Sequence, residues 1–458
     1  MSGKKVLIEL YYDLLSPYSW IGFEALSFYR QQWDIDLQIK PFLLAGIMGG
    51  SGNKPPMTNK TKGAYLLQDL QRLGHYWNVP FNADILADAS KGPMENPMES
   101  LTPMRYLLSL EQVKPLLVEG AARELWKRKW STGYGFHAIQ HLKEVSQKLG
   151  LDGQEEDFVL AGMESEVIKG RLKRNTEEAL ETNAFGAPWI VVHTPNGHQH
   201  TFFGSNRFHI IADLLGKPFD SQTPTTAQKD SSSTKIPVDL FFDVISPFSW
   251  IGFEALCRYR NVWNIDLRFR PFLLGGIAKA FLGNKRPQLS PSKIQYTFED
   301  IQRVSGHWAV PINPMPDPWE AMFKKGSLAA QRFLVSLTQH QPELVEKAAR
   351  EMFMRRWSRN QDIHLPEHLR QVGLDVGLSE SLTQQTVEAS NSASVKDLLK
   401  INTQEALGNG AFGAPWIMVY RNSEERLSFF GSDRIHLIAH SLGEKYYGPL
   451  TEYSSCNV

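Results

Sequence analysis

The feature that most constrains this chain of 458 residues is that it repeats itself. Tyr11–Ile47 reads YYDLLSPYSWIGFEALSFYRQQWDIDLQIKPFLLAGI, and Phe241–Ile277 reads FFDVISPFSWIGFEALCRYRNVWNIDLRFRPFLLGGI. The two align at an offset of 230 without a gap and agree at 23 of 37 positions; unrelated sequence would agree at about two. A second block, Ala184–Gly216, matches Ala411–Gly443 at an offset of 227, and a helical stretch ending in Trp130 matches one ending in Trp357 at the same offset. The period is far longer than a solenoid unit, so each copy is a complete domain. The spacing predicts a first domain over 1–220, a Ser/Thr-rich flexible linker over 221–234, a second domain over 235–450 and a short tail over 451–458.

Composition narrows the function classes. There are 49 basic and 49 acidic residues, so the net charge is zero and the chain carries no electrostatic footprint for nucleic acid or an anionic membrane. Runs such as Lys127-Arg128-Lys129 read as solvated helix faces. Only two cysteines occur, Cys257 and Cys456, which excludes a disulfide framework and fits a reducing compartment. Cys257 is expected in a core and Cys456 in a loose tail, open to incidental oxidation. The chain has no apolar run of membrane-spanning length and no readable targeting signal, so the expectation is an intracellular protein, cytoplasmic by default. His198 and His200 stand two apart with no third ligand evident, so no metal is expected. Gly46–Asn53 lacks the Gly-Lys-Ser/Thr of a phosphate loop.

The first copy predicts a regular order of elements. Val6–Asp13 is a buried strand. Ser16-Pro17 is a helix start, Ser as cap and Pro at the first helical position, with Trp20, Phe23, Leu26 and Tyr29 following at helical spacing. Leu37–Phe42 is a second strand. Gly46–Asn53 reads as a Gly-rich loop, followed by a long helical stretch to about Leu180, too large for a simple crossover. Trp189–His193 and Thr201–Phe203 form a hairpin about Pro195-Asn196-Gly197, and a last helix runs from about Arg207 to Leu215. The order β-α-β, helices, β-β-α describes an α/β thioredoxin fold with a helical insertion, present twice.

Three places in this fold carry candidate chemistry. At the first strand-to-helix junction a helix N-terminus offers free N–H groups and a partial positive charge, the environment in which redox relatives of the fold stabilise a cysteine thiolate. Here the four residues are Ser16-Pro17-Tyr18-Ser19 and Ser246-Pro247-Phe248-Ser249. Dithiol exchange is therefore excluded. A serine hydroxyl there either simply caps the helix or donates a hydrogen bond to a thiolate brought by a ligand. Second, Gly186-Ala187-Pro188 and Gly413-Ala414-Pro415 predict a cis proline entering a strand, leaving the backbone of the preceding alanine to pair with an extended peptide. Third, Gly204-Ser205-Asn206-Arg207 and Gly431-Ser432-Asp433-Arg434 open the last helix. They serve as caps or hold an amino-acid head group, with amides and Ser on a carboxylate and Asp on an ammonium.

Together these strings, with SGNKPP at Ser51–Pro56 and GNKRP at Gly283–Pro287, resemble the kappa-class glutathione transferases, a DsbA-like branch of the thioredoxin folds. The resemblance covers almost all of both halves. It implies glutathione as co-substrate, with Ser16 and Ser246 bonding its sulfur and so acting as the catalytic residues, flanked by Pro17, Tyr18, Pro247 and Phe248. It implies glutathione contacts from Asn53, Asn284, Lys62 and Lys293. Ala187 and Ala414, ahead of Pro188 and Pro415, would pair with the tripeptide backbone. Ser205, Asn206, Ser432 and Asp433 would meet the γ-glutamyl end. The activity implied is attack of a glutathione thiolate on an electrophile, by conjugation or by peroxide reduction. Two departures stand out: Asn206 replaces the family's Asp, and Phe248 replaces Tyr18. Relatives of this class usually dimerise, which implies an internal pseudo-dimer or a homodimer, and they occur in mitochondria and peroxisomes. A glutathione-dependent 2-hydroxychromene-2-carboxylate-type isomerase shares the fold and the serine and is the alternative enzyme; a non-catalytic glutathione-binding scaffold is the alternative of another class.

Overall fold

The structure, a computed structural model, describes residues 5–55, 59–89, 96–220, 234–282, 289–314, 317, 320, 325–422 and 425–456. The chain divides into two compact units: Met1–Pro224 with Gln288–Thr297, and Thr225–Pro287 with Phe298–Val458. Most of the linker expected at 221–234, from 221 to 233, lies outside the described residues.

In unit 1 the order is β1 (Val6–Tyr12), α1 (Pro17–Gln32), β2 (Ile35–Pro41), α2 (Leu44–Ser51), α3 (Lys60–Trp77), α4 (Ala83–Ala89), α5 (Leu101–Val113), α6 (Val118–Lys127), α7 (Ile139–Lys148), α8 (Gly153–Gly162), α9 (Glu166–Glu181), β3 (Trp189–His193), β4 (Gln199–Phe203) and α10 (Phe208–Leu215). The sheet order is β2-β1-β3-β4. β1 runs parallel to β2, with Val6 opposite Ile35, and antiparallel to β3, with Tyr11 opposite Trp189. α1 is therefore the crossover of a βαβ unit, and the predicted hairpin is β3-β4.

Unit 2 repeats the plan with β5 (Ile236–Phe242), α11 (Pro247–Tyr259), β6 (Ile265–Pro271), α12 (Leu274–Leu282), α13 (Pro291–His307), α14 (Leu328–His340), α15 (Val345–Phe353), α16 (Pro366–Asp375), α17 (Glu380–Ala389), α18 (Ala393–Gly408), β7 (Trp416–Tyr420), β8 (Arg426–Phe430) and α19 (Ile435–Leu442). Its sheet order is β6-β5-β7-β8. Among the described residues every element of the first copy except α4 has its counterpart.

Packing explains one departure from expectation. The Gly-rich stretch is largely a helix, α2, and only Gly52 and Asn53 leave it. Its glycines are there for closeness. A Cβ on Gly46 would stand 2.9 Å from Thr176 Cγ2, and one on Gly50 would stand 2.6 Å from Leu180 Cδ1. The helix lies on α9 with almost nothing between them.

The turn ahead of α1 is pinned from several sides. The buried Asp13 carboxylate accepts the N–H of Leu15 (2.9 Å) and of Leu44 (2.7 Å) and the Ser100 hydroxyl (3.0 Å). Trp130 Nε1 donates to the Leu14 carbonyl at 3.0 Å, and Trp357 repeats the bond to Val244. One residue thus ties β1, α2 and the helical insertion to the junction that carries the candidate serine. The tail also differs from the expected loose end: buried Arg258 donates to the Pro449 carbonyl (2.8 Å) and to Ser454 Oγ (3.2 Å). Cys456 is partly covered, and burial with the nearby Glu254 pushes its thiol up to about 12. A thiol so held is a poor target for oxidation. Cys257 is buried in α11, as expected. No helix among the described residues is long and apolar enough to cross a membrane.

Candidate active site

Ser16 is the N-cap of α1. Its backbone is extended (φ −96°, ψ 111°), and its Oγ accepts the Ser19 N–H at 3.1 Å. Pro17 takes the first helical position, where a missing N–H costs nothing. The same hydroxyl donates to the Ala187 carbonyl at 3.1 Å. Ser246 is held in the same way, accepting from Ser249 N at 3.1 Å and donating to the Ala414 carbonyl at 3.3 Å. A hydroxyl owns one proton, so any new acceptor at either serine must take the proton now given to the alanine.

The alanine–proline bonds Ala187-Pro188 and Ala414-Pro415 are cis. α1 meets the proline through Gly22, where a Cβ would stand 3.1 Å from Pro188 Cγ; Gly252 repeats this at Pro415. The carbonyl of each of these alanines accepts the serine hydroxyl.

Asn53 follows α2 and donates from Nδ2 to the Phe185 carbonyl at 2.7 Å, which locks the loop to the segment leading into Pro188. Its counterpart Asn284 lies outside the described residues. The Tyr18 hydroxyl donates to the buried Asp69 at 2.9 Å. Phe248 has no hydroxyl to do the same. Ser205 and Ser432 are expected to meet a head group, yet both hydroxyls are buried and have no hydrogen-bond partner among the described residues. The same orphaned donor at the same place in both copies marks it as a polar spot that packing alone does not satisfy. Asp433 pairs with Arg434, the residue beside it, and Arg207 donates to the Asn206 carbonyl at 3.3 Å. Gly204 (φ 82°) and Gly431 (φ 88°) supply the left-handed turn these segments need.

Lys293, aligned by sequence with Lys62, lies within Gln288–Thr297, which groups with unit 1. There its ammonium stands 6.0 Å from the centroid of the Phe185 ring. Burial holds the pKa of both Lys62 and Lys293 below the usual lysine value, and the charge of Lys62 lowers Lys293 further. Tyr296, on the same segment, belongs to the unit 1 core with Phe185, Trp189 and Val191.

Sequence reading missed Asp13, Phe185 and Tyr296. Asp13 and Asp243 were visible as identities in the repeated YYDLLSP and FFDVISP strings. Burial raises each carboxyl to about 6, against the lowering effect of the hydrogen bonds it accepts. Among the described residues no group of three or more His, Cys, Asp or Glu could hold a metal ion. A serine hydroxyl at a helix N-terminus, beside a cis proline and with no cysteine at either redox position, can offer its proton to an anionic ligand atom.

Comparison with known proteins agrees on the fold and points to a chemistry. The DSBA-like thioredoxin domain family matches residues 7–216 and again 237–443. Glutathione S-transferase kappa 1 of Homo sapiens is 44% identical over 213 residues, which is 46% of this chain and 93% of that protein. The protein of the same name from Rattus norvegicus is 39% identical over the same shares. A solved structure of 2-hydroxychromene-2-carboxylate isomerase matches 45% of this chain and 94% of its own, at 19% identity and a TM-score of 0.37.

Proposed function

Because this chain belongs to the kappa-class glutathione transferases, within the DSBA-like thioredoxin family, we propose that Ser16 and Ser246 turn bound glutathione into its thiolate. The observation that carries this reading is the serine hydroxyl at the N-terminus of α1, repeated at α11, beside a cis proline and without a cysteine at either redox position. A thiol of ordinary acidity, with pKa about 8.5, is mostly protonated at neutral pH. A thiolate lodged over Ser16 would meet the helix N-terminus and could take the hydroxyl proton now given to Ala187. Both effects favour the charged form, and each unit of lowered pKa is worth about 1.36 kcal/mol. The serine stays a donor throughout and forms no covalent bond.

The thiolate sulfur then attacks an electrophilic carbon. The new C–S bond forms as the bond to a leaving halide breaks, and the halide departs with the electron pair. With a peroxide the same sulfur attacks one oxygen of the O–O bond and releases an alkoxide, which takes up a proton. The sulfenic acid so formed yields glutathione disulfide and water on reaction with a second glutathione. Asn53 fixes the wall of the site through Phe185, and its Oδ1 remains to accept from the tripeptide.

The test is glutathione titration by calorimetry, with conjugation of an aryl halide followed against pH, for wild type, Ser16→Ala and Ser246→Ala. The expected outcome is retained binding with conjugation by the altered site reduced about tenfold or more at pH 7. Its rate should rise only as pH approaches the ordinary thiol value. Wild-type protein that binds no glutathione would sink the transferase reading in favour of a scaffold. Binding without conjugation, but with turnover of a hydroxychromene carboxylate, would favour the isomerase.

A further inference from the structure

The peptide unit joining Leu14 to Leu15, one residue ahead of Ser16, is held at both ends. Its carbonyl oxygen accepts the Trp130 indole N–H at 3.0 Å, and its N–H donates to the Asp13 carboxylate at 2.9 Å. The next N–H, that of Ser16, donates to the Asp13 carbonyl at 3.0 Å. The second copy repeats the clamp: Trp357 donates to the Val244 carbonyl at 3.0 Å, Ile245 N–H to the Asp243 carboxylate at 3.1 Å and Ser246 N–H to the Asp243 carbonyl at 3.0 Å. The clamped residues differ, Leu14-Leu15 against Val244-Ile245, while the clamping residues are the same. The serines that follow share one extended backbone, φ −96° and ψ 111° against φ −101° and ψ 119°.

Each tryptophan sits in a single π-helical turn, Arg128–Thr132 in the first copy and Met354–Ser358 in the second. Such turns are rare and concentrate at functional sites. Both tryptophans are buried. The Trp130 carbonyl is tied by the Asn82 N–H at 2.9 Å, and the Trp357 carbonyl by the Asn313 N–H at 2.8 Å. The π turn thus fixes the indole, and the indole fixes the peptide ahead of the serine. A peptide released at its carbonyl can rotate about the bonds on either side, and that rotation turns the serine after it. Hydrogen bonds weaken steeply as they bend, so a small turn of the serine costs much of its donation.

We propose that Trp130 and Trp357 are positioning residues for the thiolate step: through the Leu14 and Val244 carbonyls they keep the Ser16 and Ser246 hydroxyls aimed at the ligand sulfur. This rests on the glutathione reading above. The indoles take no part in the chemistry, because each gives its one N–H to the backbone. The helical insertion, which carries both π turns, then sets how well each serine works.

The test is Trp130→Phe, which keeps a large ring and removes the N–H, in the full chain carrying Ser246→Ala, so that turnover comes from the Ser16 site. Trp357→Phe in a Ser16→Ala chain is the matching measurement at the other site, and it carries the test where the first variant does not fold. The kcat for aryl halide conjugation at saturating glutathione is followed against pH, which reports the pKa of the bound thiol. At pH 7 kcat should fall about three- to tenfold, with KM for glutathione within about twofold. The rate should return to that of the unaltered tryptophan as pH rises past the ordinary thiol value of about 8.5. Once the serine of the same site is also alanine, the change to phenylalanine should cost nothing more, because the indole acts through that hydroxyl. An unchanged pH profile would overturn the proposal. So would a loss of the same factor at every pH, or an equal loss with and without the serine hydroxyl. Failure of the wild type to bind or conjugate glutathione is a separate result and falls on the transferase reading.

Discussion

At the residue scale, single polar atoms with limited valence decide what the site can do. Ser16 has one proton and spends it on Ala187, so substrate binding is an exchange of acceptors, and the serine's contribution to thiolate stability is the difference between two hydrogen bonds. Asp13 is the complementary case, a buried carboxylate that accepts three hydrogen bonds and meets no cation among the described residues. Its pKa of about 6 lies above the usual 3.8 because burial outweighs those bonds. The native state therefore keeps a proton between about pH 4 and 6 that the unfolded chain has released. Stability from this group is present below about pH 4 and is lost as pH rises through 6. Asp13→Asn should flatten that fall, removing on the order of 3 kcal/mol of pH dependence. Urea unfolding at pH 4.5 and pH 7.5 checks it; a wild-type-like difference between the two would show that Asp13 does not titrate there. The sequence marked this aspartate as repeated. It could not mark it as buried, since burial is a property of what packs over the residue.

At the scale of the element, the strands and the first helix of each copy were legible because local chemistry and tertiary role agree. Ser16-Pro17 caps α1, and the β3-β4 hairpin turns at Gly197 with φ 85°. The Gly-rich segment misled because glycine has two uses. Freedom of φ predicts a loop, whereas α2 uses the missing Cβ to approach α9. Gly74 in α3 presents the same choice. Helix propensity favours alanine there by about 1 kcal/mol. Packing opposes it, because a Cβ would stand 2.8 Å from both the Val79 carbonyl oxygen and Phe81 Cδ2, where the chain folds back over Asn78 (φ 55°). Backbone cannot give way as a flexible side chain can. Gly74→Ala should therefore lose about 1–3 kcal/mol net and lower the unfolding midpoint by several degrees. A raised midpoint in differential scanning calorimetry would show that propensity wins.

For the whole molecule, the duplication was read correctly, and one segment of the second copy groups with the first unit. Sequence alignment assigns each residue to its own copy, whereas contacts assign Gln288–Thr297 to unit 1. Tyr296→Ala would open a cavity among Phe185, Trp189 and Phe203. It should destabilise unit 1 by about 3 kcal/mol, the cost of truncating a buried aromatic. Urea unfolding of the full chain should show an earlier first transition; an unshifted curve would mean that Tyr296 contributes no packing energy. What the sequence by itself determined is the repeated thioredoxin-like plan, the serine in place of cysteine and the proline opposite it, because these depend on residue type at short spacing. Tertiary structure alone decided where the Ser16 proton goes, that the Ser205 hydroxyl is buried, and that the Lys293 ammonium stands near the Phe185 ring. Those facts depend on distances between residues far apart in the chain, which composition and periodicity do not encode.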